Sequence, residues 1–167
     1  MFVLGIDPGV SRCGYGCVSG GTGVTPKVVA VGVLTTPPSD ALPDRLAALD
    51  RDLRGLLAEF RPAAVAVERV FFQVNARTAM SVGQASGLAM AAAAQAGCDV
   101  VQYTPNEVKQ AVAGYGSATK EQVQRMVQSL LGLAEVPRPP DAADALALAL
   151  CHLAMAPLKA RLKAAPR

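Results

Sequence analysis

Four acidic residues stand where a charged side chain is unusual. Asp7 ends the apolar run FVLGID, and Glu68 ends the apolar run AAVAVE. Asp141 and Asp144 open the apolar stretch DAADALALAL. A carboxylate beside buried apolar chain is costly to ionise unless a positive charge balances it. These residues are therefore the first candidates for a functional site.

The chemistry open to these acids depends on whether they meet in space. In open α/β sheets, sites form beyond the carboxyl ends of strands, so Asp7 and Glu68 would meet if their strands were parallel neighbours. Residues three apart share one helix face, so Asp141 and Asp144 could complete the cluster. Carboxylates without histidine or cysteine suit Mg²⁺ or Mn²⁺. Two such ions about 4 Å apart can support phosphodiester hydrolysis.

Each acid also has a purely structural interpretation. Asp7 precedes Pro-Gly, where aspartate is common in turns. Glu68 could pair with a nearby arginine such as Arg69. Asp141 and Asp144 could cap a helix N-terminus, where carboxylates accept from free N–H groups and complement the dipole. Taken singly, each acid is better explained by structure, and only their joint arrangement favours a metal site.

Strands and helices predicted from the apolar spacing must position these acids. Short apolar runs with β-branched residues indicate five strands, of which the first three form an antiparallel meander. The strands cover residues 2–7, 13–20, 27–36, 63–68 and 98–104. Spacing of three and four predicts a helix within 37–60, with Ser39 or Asp40 as its cap. The helix over 75–96 is rich in alanine and glycine, which allows close approach within the fold or by a second subunit.

The helices after the last strand begin with recognisable caps. Two capping boxes are present, Thr104 with Glu107 and Thr119 with Gln122. The last helix is expected from about Asp141 to Met155, with Leu146 and Leu150 docking it. The prediction is an α/β fold with a mixed five-stranded sheet flanked by helices on both faces. One domain over 1–157 is followed by a basic, flexible tail over 158–167.

Composition excludes several classes of protein. A chain of 167 residues that is 51% hydrophobic and 17% charged can bury a core, and its net charge of +3 permits a nucleic-acid partner without arguing for one. The four cysteines include no C-x-x-C pair and there is one histidine, so a zinc site is not expected. Reduced thiols, no signal peptide and no membrane-spanning run predict a cytoplasmic protein.

Four blocks of the sequence resemble a known family. GIDPGVSRCGYG, VAVERVFFQVNARTAMSVGQASG, YTPNEVKQAVAGYGSATKEQVQRMV and DAADALALAL closely resemble the RuvC-type Holliday junction resolvases of bacteria. The resemblance runs from about residue 2 to residue 156. It implies a ribonuclease-H-like fold and a homodimeric endonuclease that depends on Mg²⁺, with two ions per active site and Mn²⁺ able to substitute. The family's acidic quartet falls on Asp7, Glu68, Asp141 and Asp144.

The resemblance also implies the substrate and the partners. Such enzymes nick two opposed strands of a four-way DNA junction symmetrically, within a short thymine-centred sequence, and leave 5′-phosphate ends. They act with the RuvA and RuvB branch-migration proteins in homologous recombination and DNA repair. The helix that begins near Asn75 resembles the helix through which the family dimerises.

Several DNA-binding positions carry over from the family. Phe71 matches an aromatic residue that stacks on junction bases, and stacking on unpaired bases is a sound reason to expose a ring. Phe72 points to the opposite face if the segment is extended, so one of the two rings could belong to the core. Lys109 and Lys120 match basic positions near the scissile phosphate. Arg69 departs from the family pattern and could pair with Glu68 or contact a phosphate.

Three other functions are alternatives to junction cleavage. A binding module of the same fold would hold junctions without cutting them, but it would have an incomplete acidic quartet. An actin-like phosphotransferase shares GIDPG but needs a second glycine-rich motif and a longer chain. A relative of this fold that processes RNA is distinguished only by comparing DNA junctions with RNA duplexes as substrates.

Overall fold

A mixed five-stranded sheet forms the centre of the fold in a computed structural model, which describes residues 1–69 and 76–164. The strand order across the sheet is β3-β2-β1-β4-β5. β1 pairs with β2 and β2 with β3 in antiparallel fashion, whereas β1–β4 and β4–β5 are parallel. The strands are β1 Phe2–Asp7, β2 Arg12–Gly21, β3 Val24–Thr35, β4 Ala64–Glu68 and β5 Asp99–Tyr103. The five predicted strands and the meander are confirmed.

Helices cover both faces of this sheet, as predicted. They are α1 Leu42–Phe60, α2 Ala76–Gln95, α3 Pro105–Ala113, α4 Lys120–Leu130 and α5 Pro140–Ala164. Leu4 and Ile6 of β1 pack in one core with α1 and α2. Val3 packs in a second core with α3, α4 and α5. Because side chains alternate along a strand, β1 contributes residues to both cores. The expected α/β class is confirmed.

The ends of the helices test the local predictions. Both capping boxes are present, with Thr104 accepting from the Glu107 N–H and Thr119 accepting from the Gln122 N–H. The cap predicted for α1 is wrong. Its N-cap is Ala41, which makes no side-chain bond, and Ser39 instead donates to Asp40 at 3.3 Å. Pro43 lies in the first turn of α1, where its missing N–H costs nothing and its fixed φ favours the helix.

The last helix is longer than predicted. We expected its end near Met155, but α5 continues to Ala164 and contains Pro157. A proline removes one backbone hydrogen bond without having to end a helix. The division into a domain over 1–157 and a tail over 158–167 stays a prediction, and 165–167 lie outside the described residues. Within the described ranges, no helix is both long and apolar enough to cross a membrane.

Candidate active site

Asp7 and Glu68 lie side by side at the end of two parallel strands. β1 and β4 are neighbours in the sheet, and Ile6 is paired with Val67, so each acid is the next residue along its own strand. Asp7 follows Val3 in the alternation along β1, on the face that packs against α5. Ala66 occupies that same core in β4, which gives Glu68 the same face. The predicted condition, that the strands of Asp7 and Glu68 are parallel neighbours, is therefore met.

Helix α5 approaches the sheet closely because glycines replace side chains beneath it. A Cβ atom at Gly5 would overlap the carbonyl oxygen of Ala145, and one at Gly14 would overlap that of Asp141. Leu146 is fully buried, as predicted for a docking residue. Any side chain at these two glycines would hold the N-terminal part of α5 away from the ends of β1 and β2.

Docking of α5 completes a charged cleft. The cleft has a volume of about 310 Å³, and its lining includes Asp7, Glu68, Asp144, Lys109 and Lys120. The Lys120 Nζ lies 2.6 Å from Oδ2 of Asp144. The structure thus brings together three of the four predicted acids and both predicted lysines around one opening.

Asp141 lies beside this cleft and is held by an arginine. The Nε and Nη2 atoms of Arg12 donate to Oδ2 of Asp141 at 3.0 and 2.8 Å. The sequence analysis assigned no role to Arg12. Asp7 pairs with Gly14 in the β1–β2 hairpin. Arg12 therefore lies just beyond the end of β1, next to the predicted site.

The carboxylates on the two strands are electrostatically strained. Burial raises the pKa of Asp7 from its ordinary value of 3.8 to about 7, and the charges of Glu68, Asp144 and Asp141 add to the increase. Burial and the charge of Asp144 also raise the pKa of Glu68. Lys120 opposes both increases. Burial alone would lower the pKa of Lys120, but the bond to Asp144 and the other acids raise it overall.

The donor set fits a divalent metal in its chemistry, although two of the four carboxylates, Asp141 and Asp144, are already bonded to cationic side chains. All four acids offer hard oxygen ligands, and two of them carry raised pKa values that a nearby cation would lower. Within residues 1–69 and 76–164, no three histidine, cysteine or acidic side chains are grouped closely enough to hold one ion. A metal ion at Asp141 or Asp144 would compete with the cationic side chain that already bonds each of them.

The remaining predicted residues are less well defined. Arg69 is exposed, and its backbone N–H donates to the carbonyl oxygen of Tyr103 at 2.8 Å. Arg69 forms no ion pair with Glu68 in the part of the chain that the structure describes. Phe71 and Phe72 lie outside the described residues.

Comparisons with known proteins show the family of this chain. A family profile described as "Crossover junction endodeoxyribonuclease RuvC" matches residues 3–152. The chain belongs to the RuvC family. A RuvC from Salinispora arenicola is 56% identical over 165 residues, which span 99% of this chain and 94% of that protein. The expected endonuclease activity on DNA junctions is confirmed for this RuvC protein.

Two solved RuvC structures from Thermus thermophilus confirm the ribonuclease-H-like fold. One, of the protein alone, has a TM-score of 0.88 and 42% identity and covers 95% of this chain and 97% of its own. The other, described as a complex with Holliday junction substrate, has a TM-score of 0.90 and 42% identity. That match covers 95% of this chain and 96% of the other. The RuvC fold and the sequence blocks therefore extend over nearly the same residues.

Proposed function

We propose that this chain resolves four-way DNA junctions by nicking two opposed strands symmetrically, in homologous recombination and DNA repair. Asp7, Glu68, Asp141 and Asp144 are its catalytic and metal-binding residues. The observation that carries the proposal is the convergence of acids from two strands and one helix on an open cleft that also holds two lysines. The Thermus complex with Holliday junction substrate supports the class of substrate.

The metal that suits this cleft is Mg²⁺, with two ions per site and Mn²⁺ as a substitute. When bound, such ions activate water and stabilise the leaving oxygen of a phosphodiester. Asp7 and Glu68 contribute the strongest attraction, because burial and the charges of neighbouring carboxylates raise the pKa of each and a cation relieves that repulsion. Four carboxylates with no nitrogen or sulfur ligand favour these hard ions.

The lysines of the cleft bind and orient the phosphate. Lys120 lies on the first turn of α4 and its side chain is 57% exposed, so its ammonium can move from Asp144 to an incoming phosphate oxygen. Lys109 lines the same opening from α3. Positive charge aimed at the scissile phosphate stabilises the charge that develops during hydrolysis.

The DNA surface continues past the end of β4. Arg69 is exposed directly after Glu68, where its guanidinium can reach a phosphate of the same strand. Phe71 and Phe72 follow in the chain, and we assign them to stacking on bases opened at the junction. The exposed basic residue and the two aromatic residues together form a DNA-binding segment next to the catalytic acids.

Two symmetric nicks require two active sites, and we infer a homodimer formed through α2. Met80 is 66% exposed on this helix, and added Cβ atoms at Gly83 and Gly87 would meet open space. These residues recur at spacings of three and four and so share one helix face. A face of small residues beside an exposed methionine suits close packing against a second copy. RuvA and RuvB are the proposed partners in branch migration, and the cytoplasm is the proposed location.

Cleavage of a synthetic four-way junction tests the function. Purified protein with Mg²⁺ should nick two opposed strands at matching positions, and should leave a linear duplex and an RNA duplex intact. Asp7→Asn should abolish cleavage but retain junction binding in a gel-shift assay. Asymmetric nicks, or full cleavage by Asp7→Asn, would refute the proposed mechanism.

A further inference from the structure

Arg12 makes the best-defined contact with the acidic quartet that has no assigned role. Its Nε and Nη2 atoms both donate to the same oxygen of Asp141, at 3.0 and 2.8 Å. Charge-assisted bonds of this length are short and strong for their class. The Arg12 side chain is 50% exposed and that of Asp141 is 30% exposed, so water screens the pair only in part.

The backbones on both sides of this pair are fixed. The carbonyl oxygen of Ser11 accepts from the Thr36 N–H at 3.2 Å, and the Ser11 hydroxyl accepts from Arg45 Nη2 at 2.6 Å. On the other side, the carbonyl group of Asp141 lies directly over Gly14. The two side chains therefore meet because the fold places them together, unlike most exposed ion pairs.

We propose that Arg12 is a positioning residue that holds Asp141 beside the cleft and competes with divalent cations for it. The proposal rests on the function proposed above, in which Asp141 is a metal ligand. Oδ2 of Asp141 accepts both N–H bonds and has little lone-pair capacity left for a metal, so the competition is for this one of the two carboxylate oxygens. The guanidinium charge also repels an approaching cation. Arg12 thus keeps Asp141 in place while setting how readily the site takes up metal.

The size of the effect follows from the exposure of the pair. Solvent screens both the bond and the repulsion, so the competition is moderate. Removal of Arg12 should tighten divalent-cation binding by roughly three- to tenfold. A residue with a merely structural role would have the opposite effect or none, because its loss could only disorder Asp141.

Mn²⁺ binding to the full-length protein without DNA, followed by electron paramagnetic resonance, tests the proposal. Arg12→Gln should lower the dissociation constant by roughly three- to tenfold, and Arg12→Lys should fall between that variant and wild type. Arg138→Gln is the matched control, because it removes the same charge from an exposed residue close to Asp141 in sequence. It should change the constant by less than about twofold.

The Asp141→Asn variant separates failure of this inference from failure of the proposed function. If Asp141→Asn weakens Mn²⁺ binding but Arg12→Gln does not tighten it, Arg12 is no competitor and the proposed function stands. If Asp141→Asn leaves binding unchanged, Asp141 is not a ligand and both ideas fall. If neither wild type nor Arg12→Gln binds Mn²⁺, the inference is also wrong, because removal of the competitor should have opened the site.

A nuclear magnetic resonance measurement observes the pair directly. The Nε–H signal of Arg12 should be protected from exchange with water in wild type and lose that protection in Asp141→Asn. Titration with Mg²⁺ should release it in the same way. A signal that stays protected at saturating Mg²⁺ would contradict competition for the Asp141 carboxylate.

Discussion

Replacement of Asp7 by asparagine should stabilise the metal-free protein at neutral and alkaline pH, although it removes a residue that we propose to be catalytic. Burial first, and then the charges of Glu68, Asp144 and Asp141, raise the pKa of Asp7 to about 7. Above that pH the protein must hold an ionised carboxylate among other carboxylates, next to apolar chain. Asparagine has nearly the same shape and no charge, so it relieves this cost.

The sign and the magnitude follow from proton linkage. Between its ordinary pKa of 3.8 and about 7, Asp7 is protonated in the folded state and ionised in the unfolded state. The folded state then binds more protons, so the free energy of unfolding falls as pH rises through this window. About three powers of ten in proton affinity correspond to about 4 kcal/mol. Because Lys120 can shift towards Asp7 and water reaches the cleft, we expect to measure roughly 2 kcal/mol.

Urea unfolding in the presence of EDTA measures this effect. The difference between Asp7→Asn and wild type should be roughly 2 kcal/mol at pH 8 and should shrink towards zero near pH 4. Asp99→Asn is the matched control, because Asp99 is exposed at the start of β5, at the opposite end of the sheet. That variant should show no such pH dependence.

The pH dependence is the decisive quantity in this experiment, since any constant effect of the amide cancels between the two pH values. A difference that stays the same from pH 4 to pH 8 would refute the argument from burial and repulsion. Added Mg²⁺ should raise the stability of wild type more than that of the variant, because a ligand stabilises the state that binds it.

Further predictions concern the residues that position the site. Gly14→Ala should destabilise the protein by about 1–3 kcal/mol and abolish nicking, because its Cβ would overlap the backbone of α5. Gly55→Ala, on an open face of α1, should instead stabilise the protein by about 0.5–1 kcal/mol. Urea unfolding that ranks the two variants in the other order would contradict this prediction. Thr104→Ala should cost about 1 kcal/mol by removing the cap of α3, and an unchanged unfolding midpoint would contradict it. Lys120→Gln should raise the pKa of Asp7 further, as measured by carboxyl nuclear magnetic resonance titration, and a lower pKa would count against the assigned electrostatics.

Much of the fold and the acidic quartet could be predicted from sequence because their signals are local. A short apolar run that ends in an acid marks both a strand and its exposed end, as for Asp7 and Glu68. The capping boxes of α3 and α4 each lie within four consecutive residues, and both are confirmed. The family resemblance named the quartet independently, and the structure brings its members to one edge of the sheet.

The contacts that sequence reasoning missed all depend on tertiary placement. The bond from Arg12 to Asp141 joins residues 129 positions apart, and no local pattern announces it. The use of Gly5 and Gly14 appears only when α5 lies across them, because a glycine in a strand carries no local sign of what packs over it. The predicted end of α5 near Met155 is wrong, because the helix continues through Pro157 to Ala164.

The four acids divide by the element that carries them, and this division has a consequence for function. The two on the helix α5 are each held by a cation, Asp141 by Arg12 and Asp144 by Lys120. The two on strands carry pKa values that are raised first by burial and then by neighbouring carboxylates. A divalent cation would relieve that repulsion at Asp7 and Glu68, whereas at the helix acids it would compete with a bonded cation. Phosphate oxygens of DNA can accept hydrogen bonds from Arg12 and Lys120 in place of the helix acids. DNA would then free those acids for a metal ion, so we expect metal and DNA binding to reinforce each other.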